Sequence, residues 1–375
     1  RALLTVRSFR WLGIGPESTV TYNSITFHVS VCIHYVYIRC DMTDLSRVGD
    51  RVVALGHHAY RWREWEFPQP RSEGWAHPGV AVLPDGALVT GHPDTGTLAL
   101  FAADGRLVQV LGTRLTELHG ITLVEDGGAE RLWVADNGHK FTPAQPTYSD
   151  YVAPGRVVQM DLTGRITMEL TQPDTAAYEN AQWSPCAVTV DQPCDGGNGR
   201  IWVADGYGQN LLHCYASSGT HLFTLDGSES GTPFDTPHGL LIDRRKPSLE
   251  LYVADRSNRR LVVYTGDGSF LRTIVVDNFT SPSALAIAGD MLVVAELFGV
   301  ITALDIEDSP IGAIGDESAT TRPGWPNRLD GGTYAPHLHA MRFNSPHGIT
   351  ADANGNIFVA EWLVGGRLVQ LEPFG

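Results

Sequence analysis

Positive charge is scarce in this chain. Its 375 residues include 27 lysines and arginines against 42 aspartates and glutamates, which gives a formal net charge of −15. Affinity for nucleic acids depends on clustered lysine and arginine side chains that neutralise phosphates. The composition therefore argues against a nucleic-acid partner.

Long apolar runs are also missing. No uninterrupted apolar stretch is long enough to span a bilayer as a helix. The stretch from Thr19 to Ile38 is rich in β-branched and aromatic residues, but it lacks the apolar region and small-residue cleavage site of a signal peptide. We therefore expect a cytoplasmic protein without a membrane partner.

Cysteines are few and odd in number, five in all. Cys186 and Cys194 are close in sequence, but spacing alone does not establish a disulfide, so their pairing stays open. Without a recognised secretory signal, reduced thiols are the default expectation.

A repeated strand is the main positive feature of the sequence. It ends in Val-Ala-Asp or Val-Ala-Glu and recurs five times, bounded by turns rich in glycine, aspartate and asparagine; a divergent first copy begins at Pro78. Six such units of three or four antiparallel strands predict an all-β fold, a six-bladed β-propeller. The five strands are Leu132–Asp136, Ile201–Asp205, Leu251–Asp255, Leu292–Glu296 and Ile357–Glu361.

The ends of the ring need a closing strand, because the last unit supplies only three strands. The segment 51–56 matches residues 106–112, the last strand of the first unit, and is therefore predicted to complete the final blade. We assign residues 42–375 to the propeller. Residues 1–41 contain no repeat unit and are interpreted as a dispensable extension, with a processing or targeting segment as the alternative.

Two long insertions interrupt the repeat, at residues 138–154 and 308–344. Long loops in a compact domain are more often functional than short ones. If both insertions cap the same face of the ring, they lie beside its centre.

Histidines occur at one point of every second unit. The segments are Leu118-His119-Gly120, Pro237-His238-Gly239 and Pro346-His347-Gly348, and the intervening units have Cys186 and Ser283 at that point. In a six-unit ring these three imidazoles converge around a pseudo-three-fold axis. Three imidazoles with an open fourth position are typical of a catalytic zinc site, and iron or manganese are alternatives.

Each histidine also has a structural interpretation, as a side chain bonded to a backbone carbonyl. The spacing of all three together favours metal binding. His77 stands one position out of register and is interpreted as a rim or turn residue.

A more specific pattern lies in the third and fourth units. Val203-Ala-Asp-Gly-Tyr207-Gly is followed by Pro237-His238-Gly and by Val253-Ala-Asp-Arg256. Residues 78–375 resemble the lyase domain of the peptide-amidating enzymes, peptidyl-α-hydroxyglycine α-amidating lyase, within the wider group of NHL-repeat propellers. The resemblance implies a six-bladed propeller with zinc on His119, His238 and His347. It also implies a catalytic Tyr207 and a substrate-binding Arg256.

The chain departs from that family at several positions. No arginine stands near His92, where the family has a second active-site arginine, and Ser345 replaces a methionine. Gly348 occupies the place of an acidic calcium ligand, so the resemblance does not predict calcium. Gly208 replaces a half-cystine. The resemblance therefore implies a retained metal centre and an altered substrate pocket.

Other interpretations of the site residues stay open. Tyr207 could be a packed core aromatic, and Arg256 could pair with the acidic residue beside it. The acids that end the repeated strands recur whatever the histidine pattern, which favours a structural role; we call them the acid row. His92, Asn137, Trp362 and Ser345 are predicted to line the substrate pocket. The acid row consists of Asp136, Asp205, Asp255, Glu296 and Glu361.

Together these features predict a monomeric, metal-dependent carbon–nitrogen lyase. Its substrate would be a small or peptide-like N-acyl α-hydroxyglycine with a carboxylate, cleaved to an amide and glyoxylate. The alternative is a non-catalytic propeller that binds a protein or small ligand and contains a structural metal.

Overall fold

The structure is a computed structural model that describes residues 17–22, 25–32, 35–40, 51–65, 67, 72–277 and 279–374. Contacts divide the chain into two units, residues 1–52 and 53–375. The predicted boundary between residues 41 and 42 lies outside the described residues. In the first unit three strands form an antiparallel sheet in the order β1–β2–β3, namely β1 (Glu17–Tyr22), β2 (Ile25–Cys32) and β3 (Tyr35–Cys40).

The second unit contains six small antiparallel sheets in a ring, which confirms the predicted six-bladed β-propeller, and one two-stranded hairpin. Blade one contains β6 (Val80–Val82), β7 (Leu88–Gly91), β8 (Thr97–Phe101) and β9 (Leu107–Gly112). Blade two contains β10 (Gly120–Asp126), β11 (Ala129–Asp136), β14 (Arg156–Met160) and β15 (Ile166–Leu170). Blade three contains β16 (Ala187–Val190), β17 (Ile201–Asp205), β18 (Leu211–Tyr215) and β19 (His221–Leu225). Blade four contains β20 (Pro237–Asp243), β21 (Glu250–Asp255), β22 (Arg260–Thr265) and β23 (Phe270–Ile274). Blade five contains β24 (Pro282–Ala288), β25 (Met291–Glu296), β26 (Val300–Leu304) and β27 (Pro310–Gly315). Blade six contains β28 (Pro346–Ala351), β29 (Ile357–Glu361), β30 (Leu368–Pro373), β5 (His58–Trp65) and β4 (Val52–Leu55).

The first strand of each blade lines the axis of the ring. Each of these inner strands contacts the inner strand of the next blade, and β28 contacts β6 to close the circle. The second strand of most blades is buried along its whole length, as in Ile201–Asp205. Burial of that strand between neighbouring blades explains why the repeated segment is apolar without alternation.

Helix contributes little to the described residues. The helical segments there are short 3₁₀ turns, and none is long and apolar enough to cross a membrane. These turns are Ala176–Tyr178, Pro193–Asp195, Ser228–Ser230 and Glu317–Ala319.

An N-terminal strand closes the last blade, but it is not the predicted one. β5 pairs with β30, from Trp65 opposite Leu368 to Tyr60 opposite Pro373. Segment 51–56, which was predicted to take this place, instead contains β4, a fifth strand outside β5. The reason is packing, since β5 buries Tyr60, Trp62 and Trp65 in the blade cores, whereas only Leu55 of β4 is fully buried.

The two long insertions meet on one face of the ring, as expected. The first folds into a hairpin of β12 (His139–Ala144) and β13 (Thr147–Val152). The second was predicted to begin at residue 308, but Pro310–Gly315 form β27 of blade five, so the insertion runs from the end of β27 to the start of β28. The backbone N–H of Thr333 in the second donates to the carbonyl oxygen of Pro146 at the hairpin tip, over 2.8 Å. We call this face of the propeller the mouth.

Truncation tests the role of β5, with a chain beginning at residue 42 as the reference. A chain beginning at residue 57 loses β4 only, and we expect its melting temperature to stay near the reference. A chain beginning at residue 67 also loses β5, and it should aggregate because β30 becomes an exposed edge. The loss includes three buried aromatic side chains, each contributing about 1.5–3 kcal/mol. Equal melting temperatures and equal light scattering for the two truncations would contradict this closure.

Candidate metal centre

The three histidines predicted to converge lie together on the axis. His238 is the extra residue of a β-bulge, because Pro237 and Gly239 pair with adjacent residues of β21; His347 has the same place in blade six. Bulges commonly re-aim a side chain. His119 lies directly before β10. We call these three the axial histidines, and the centroids of their rings are 4.6, 4.8 and 4.9 Å apart in pairs.

Each axial histidine is held by the next blade. Nδ1 of His119 lies 2.7 Å from the carbonyl oxygen of Cys186, and Nδ1 of His238 lies 2.7 Å from that of Ser283. The third axial histidine makes the same contact with Pro78, over 3.1 Å, across the ends of the ring. A carbonyl only accepts, so Nδ1 donates and Nε2 keeps its lone pair. The blades without an axial histidine therefore orient the histidines of their neighbours.

The glycine after each axial histidine admits this carbonyl. A Cβ on Gly120 would lie 2.5 Å from the carbonyl oxygen of Cys186, and one on Gly239 would lie 2.6 Å from that of Ser283. The third such glycine has the same relation to the carbonyl of blade one, at 2.7 Å. The His-Gly pair is thus one structural unit, in which glycine lets the neighbouring backbone approach and histidine binds it.

A fourth histidine joins the cluster, contrary to the interpretation of His77 as a rim or turn residue. The ring of His77 lies 4.4 Å from those of His119 and His347, centroid to centroid. One nitrogen from each of the four buried rings falls within 4.8 Å of the others. Register alone missed His77 because it enters from the loop before blade one. Its signal was adjacency to Pro78, the repeat position that aligns with the axial histidines.

The four rings suit a metal ion chemically. Burial lowers the pKa of each, that of His347 to about 3, and neighbouring imidazoles add to the effect for the other three. Neutral imidazole is the form that binds metals. Nε2 of His119 and of His347 is buried and has no hydrogen-bond partner. This buried cluster could therefore hold a metal ion.

Tyr207 and Arg256 lie directly against the cluster. The hydroxyl oxygen of Tyr207 is 3.0 Å from Nε2 of His238 and 3.2 Å from Nε2 of His77. Nη1 of Arg256 donates to the same oxygen over 3.0 Å, and its guanidinium lies 5.1 Å from the centre of the tyrosine ring. Burial raises the pKa of Tyr207 to about 12, against the opposing charge of Arg256. The hydroxyl is therefore protonated at neutral pH in this arrangement.

The charge of Arg256 has no carboxylate partner among the ion pairs of the described residues. The neighbouring acid, Asp255, binds Arg260 instead, with 2.6 Å between Nε and the carboxylate. Asp255 also accepts from Asn258 and from the backbone of Asp235. The alternative pairing of Arg256 with Asp255 is therefore wrong, and a half-buried guanidinium faces the histidine cluster.

The acid row has the structural role favoured by the sequence. Asp136 accepts from the backbone N–H of Thr116, and Asp205 accepts from that of Ser184, each over 2.7 Å. In each blade the amide lies two or three residues before the position of the axial histidine. The remaining three acids bind the amides of Asp235, Thr280 and Ser345 in the same way. The row thus fixes the loops from which the histidines project.

The residues predicted to line the pocket have different surroundings. The ring of Trp362 lies 5.6 Å from that of His77, next to the cluster. Asn137 is buried, and its Nδ2 has no partner. His92 stacks edge-on against Phe67.

Ser345 is fully buried, and its hydroxyl donates to the carbonyl oxygen of Trp362 over 2.7 Å. Its hydrogen bond is therefore made within the last blade.

Two features near the cluster were not predicted. Lys140 of β12 forms an ion pair with Glu117, 2.5 Å between the charged atoms, and both side chains are buried. The repeat gave no signal for it, because Lys140 belongs to the inserted hairpin. A cavity of about 300 Å³ also runs along the axis, with the axial histidines at one end and the inner strands as its walls.

Cys186, Cys194 and Cys214 are free thiols, so Cys186 and Cys194 do not pair.

Comparison with known proteins supports the fold more than the chemistry. No family model matches the chain, and no curated protein matches it in sequence. Its fold is similar to that of a streptogramin B lyase, with a TM-score of 0.53 and 14% identity over 84% of this chain and 97% of that one. It is also similar to virginiamycin B lyase from Staphylococcus aureus, with a TM-score of 0.50 and 14% identity over 84% of this chain and 99% of that one. At this identity the likeness shows the fold, and it does not point to amidating lyases in particular.

A glycine substitution tests how the centre is oriented. Gly239→Ala should push the Ser283 carbonyl away from His238, destabilise the protein by about 1–3 kcal/mol as overpacking does, and lower its metal content. Gly112→Ala is the matched control, because a Cβ there meets nothing within 4 Å. Unfolding free energy and elemental analysis measure both effects. Equal stability and equal metal content in the two variants would show that the close approach is unimportant.

Proposed function

We propose that the protein is a metal-dependent lyase that cleaves the C–N bond of an N-acyl α-hydroxyglycine-like substrate. The products would be an amide and glyoxylate or a close analogue. One observation carries the proposal. A tyrosine hydroxyl, an arginine with no carboxylate partner among the described residues, and four neutral imidazoles meet at a single buried point of the ring. The lyase names of the two structural neighbours and the resemblance of the Tyr207 and Arg256 segments lend further support.

Arg256 would bind the substrate carboxylate. Its guanidinium fork matches a carboxylate with two parallel N–H bonds. Since Nη1 already donates to Tyr207, the same side chain would hold the carboxylate next to the tyrosine hydroxyl. The α-carbon and its hydroxyl would then lie over the histidine cluster.

The reaction is a proton transfer coupled to bond cleavage. The substrate hydroxyl loses its proton, its oxygen forms the carbonyl of glyoxylate, and the C–N bond breaks while the amide nitrogen gains a proton. Tyr207 Oη is the group that exchanges protons with the substrate. The axial histidines would hold a divalent ion beside His77, with zinc as the first choice and iron or manganese as alternatives. Three ligands would leave a position open, at which the ion would act as a Lewis acid on the substrate oxygen.

The protein would exclude water and fix the proton path. The axial histidines keep Nδ1 on backbone carbonyls, so their orientation does not change when a substrate binds. Nη1 of Arg256 donates to Tyr207 Oη over 3.0 Å, which would hold the hydroxyl beside the histidine cluster when the ion is bound. Such pre-positioning is what proton transfer by a side chain requires.

Release of glyoxylate from a panel of α-hydroxyglycine derivatives tests the proposal. Tyr207→Phe should lower kcat by about 10²–10⁴-fold, because it removes the proton-exchanging hydroxyl. Arg256→Ala should mainly raise KM for carboxylate substrates and have less effect on their esters. Both variants should keep the metal.

Two surface substitutions serve as controls, Tyr151→Phe in the hairpin and Arg106→Ala outside the mouth, since both side chains are exposed. Wild-type kinetics in Tyr207→Phe and Arg256→Ala would show that the chemistry is not at this point. No glyoxylate from any derivative, with the metal retained, would instead favour a binding propeller with a structural metal.

A further inference from the structure

A row of aromatic side chains extends from the histidine cluster along the mouth. Trp362 lies beside His77, and the ring of Trp75 lies 5.3 Å from that of Trp362. Two rings of the hairpin continue the row beyond Trp75, and two rings continue it beyond Trp362. We call this row the aromatic wall: Trp75, Phe141, Tyr148, Phe298, Trp325 and Trp362.

Separate parts of the chain build the wall. Trp75 precedes blade one, Phe141 and Tyr148 belong to the hairpin inserted in blade two, and Trp325 belongs to the long loop before blade six. All six side chains are half-buried, so each keeps some accessible surface. Aromatic surface beside a few polar groups is the usual lining of a small-molecule site. The two insertions therefore place aromatic side chains beside the centre of the ring.

Two hydrogen-bond donors in the wall lack acceptors. Nε1 of Trp75 and Nε1 of Trp362 are buried and unpaired, whereas Nε1 of Trp325 donates to the carbonyl oxygen of Asn344 over 2.8 Å. Buried donors are normally satisfied, and a ligand is one source of the missing partner. An amide carbonyl oxygen has the acceptor chemistry that an indole N–H needs.

The wall and Arg256 flank the cluster from different sides. The ring of His77 contacts Tyr207 at 5.9 Å and Trp362 at 5.6 Å, centroid to centroid. Arg256 lies on the tyrosine side of this contact. A ligand with its carboxylate on Arg256 therefore spans His77 and extends its opposite end toward Trp362.

We propose that the aromatic wall binds the N-acyl group of the substrate and selects an aromatic acyl group. The substrate class is then an N-aroyl α-hydroxyglycine, with its acyl carbonyl accepting from an unpaired indole N–H. The identity of the ligand rests on the proposed lyase function; the selectivity of the wall does not require turnover. The aromatic ring of the acyl group would continue the tilted and edge-on contacts already made between Trp75 and its neighbours. Such ring contacts add to the binding free energy that comes from burial of apolar surface.

Binding of unreactive analogues tests the selectivity without chemistry. Benzoylglycine and acetylglycine have the amide and carboxylate but no α-hydroxyl, so neither can be cleaved. Titration calorimetry on the metal-loaded full chain should give a Kd at least about tenfold lower for benzoylglycine, because the phenyl group buries more apolar surface than a methyl group and gains ring contacts. Equal Kd values for the two analogues would overturn the proposal.

Variants locate the effect on the wall. Trp362→Ala should reduce the benzoyl preference to about twofold or less. Trp362→Phe should keep most of the preference and weaken the binding of both analogues alike, because the indole N–H is lost. Phe141→Ala, on the hairpin, should reduce the preference without touching the ring core. Phe270→Ala, an exposed aromatic of blade four, is the matched control and should change nothing.

The outcomes separate the two proposals. A benzoyl preference that survives both Trp362→Ala and Phe141→Ala would overturn the wall as the subsite. Loss of binding of both analogues in Arg256→Ala supports the shared orientation, and unchanged binding there overturns it. A wall-dependent preference in a protein that releases no glyoxylate would support the subsite and reject the lyase function. Glyoxylate release at equal kcat/KM from benzoyl and acetyl substrates would support the lyase function and reject the wall as a selective subsite.

Discussion

The bond from each axial histidine to the carbonyl of the next blade is the constraint on which the site depends. It fixes the protonated nitrogen of the ring, and it leaves the lone pair of Nε2 on the axis. It also requires glycine after the histidine, because any side chain there would displace the carbonyl. One of the three bonds crosses the ends of the ring, from His347 to Pro78. The histidine cluster is therefore complete only when blades six and one lie side by side.

The charges around the centre are arranged so that the interior stays neutral. Burial keeps the four imidazoles uncharged. The carboxylates of the acid row accept hydrogen bonds from backbone amides of the loops before the inner strands. Lys140 is neutralised by Glu117. Arg256 differs, since its guanidinium donates to Tyr207 and pairs with no carboxylate of the described residues. We propose an ion for the imidazoles and an anionic substrate for Arg256.

The repeat determined much of what could be predicted from the sequence. Recurrence of the Val-Ala-Asp strand predicted the six blades, and histidines in alternate copies predicted convergence on the axis, because a propeller relates equivalent positions by rotation. Local propensity could not identify the closing strand. Segment 51–56 resembles a blade strand in sequence, but the buried aromatics of β5 decide the pairing. Trp362 follows the acid row and was predicted to line the pocket. His77, Lys140 and the rest of the aromatic wall come from loops and insertions, whose positions follow from tertiary contacts and not from the repeat.

X-ray absorption at the metal edge of the purified protein tests the central claim most directly, that the histidine cluster holds a divalent ion. The account predicts a shell of three or four imidazole nitrogens, at about 2.0–2.1 Å if the ion is zinc. The shell should lose a nitrogen, or the ion should be lost, in His238→Ala, but not in His58→Ala, whose side chain is exposed and pairs with Asp290. A shell of oxygen or sulfur ligands, or the absence of a stoichiometric ion after gentle purification, would contradict it.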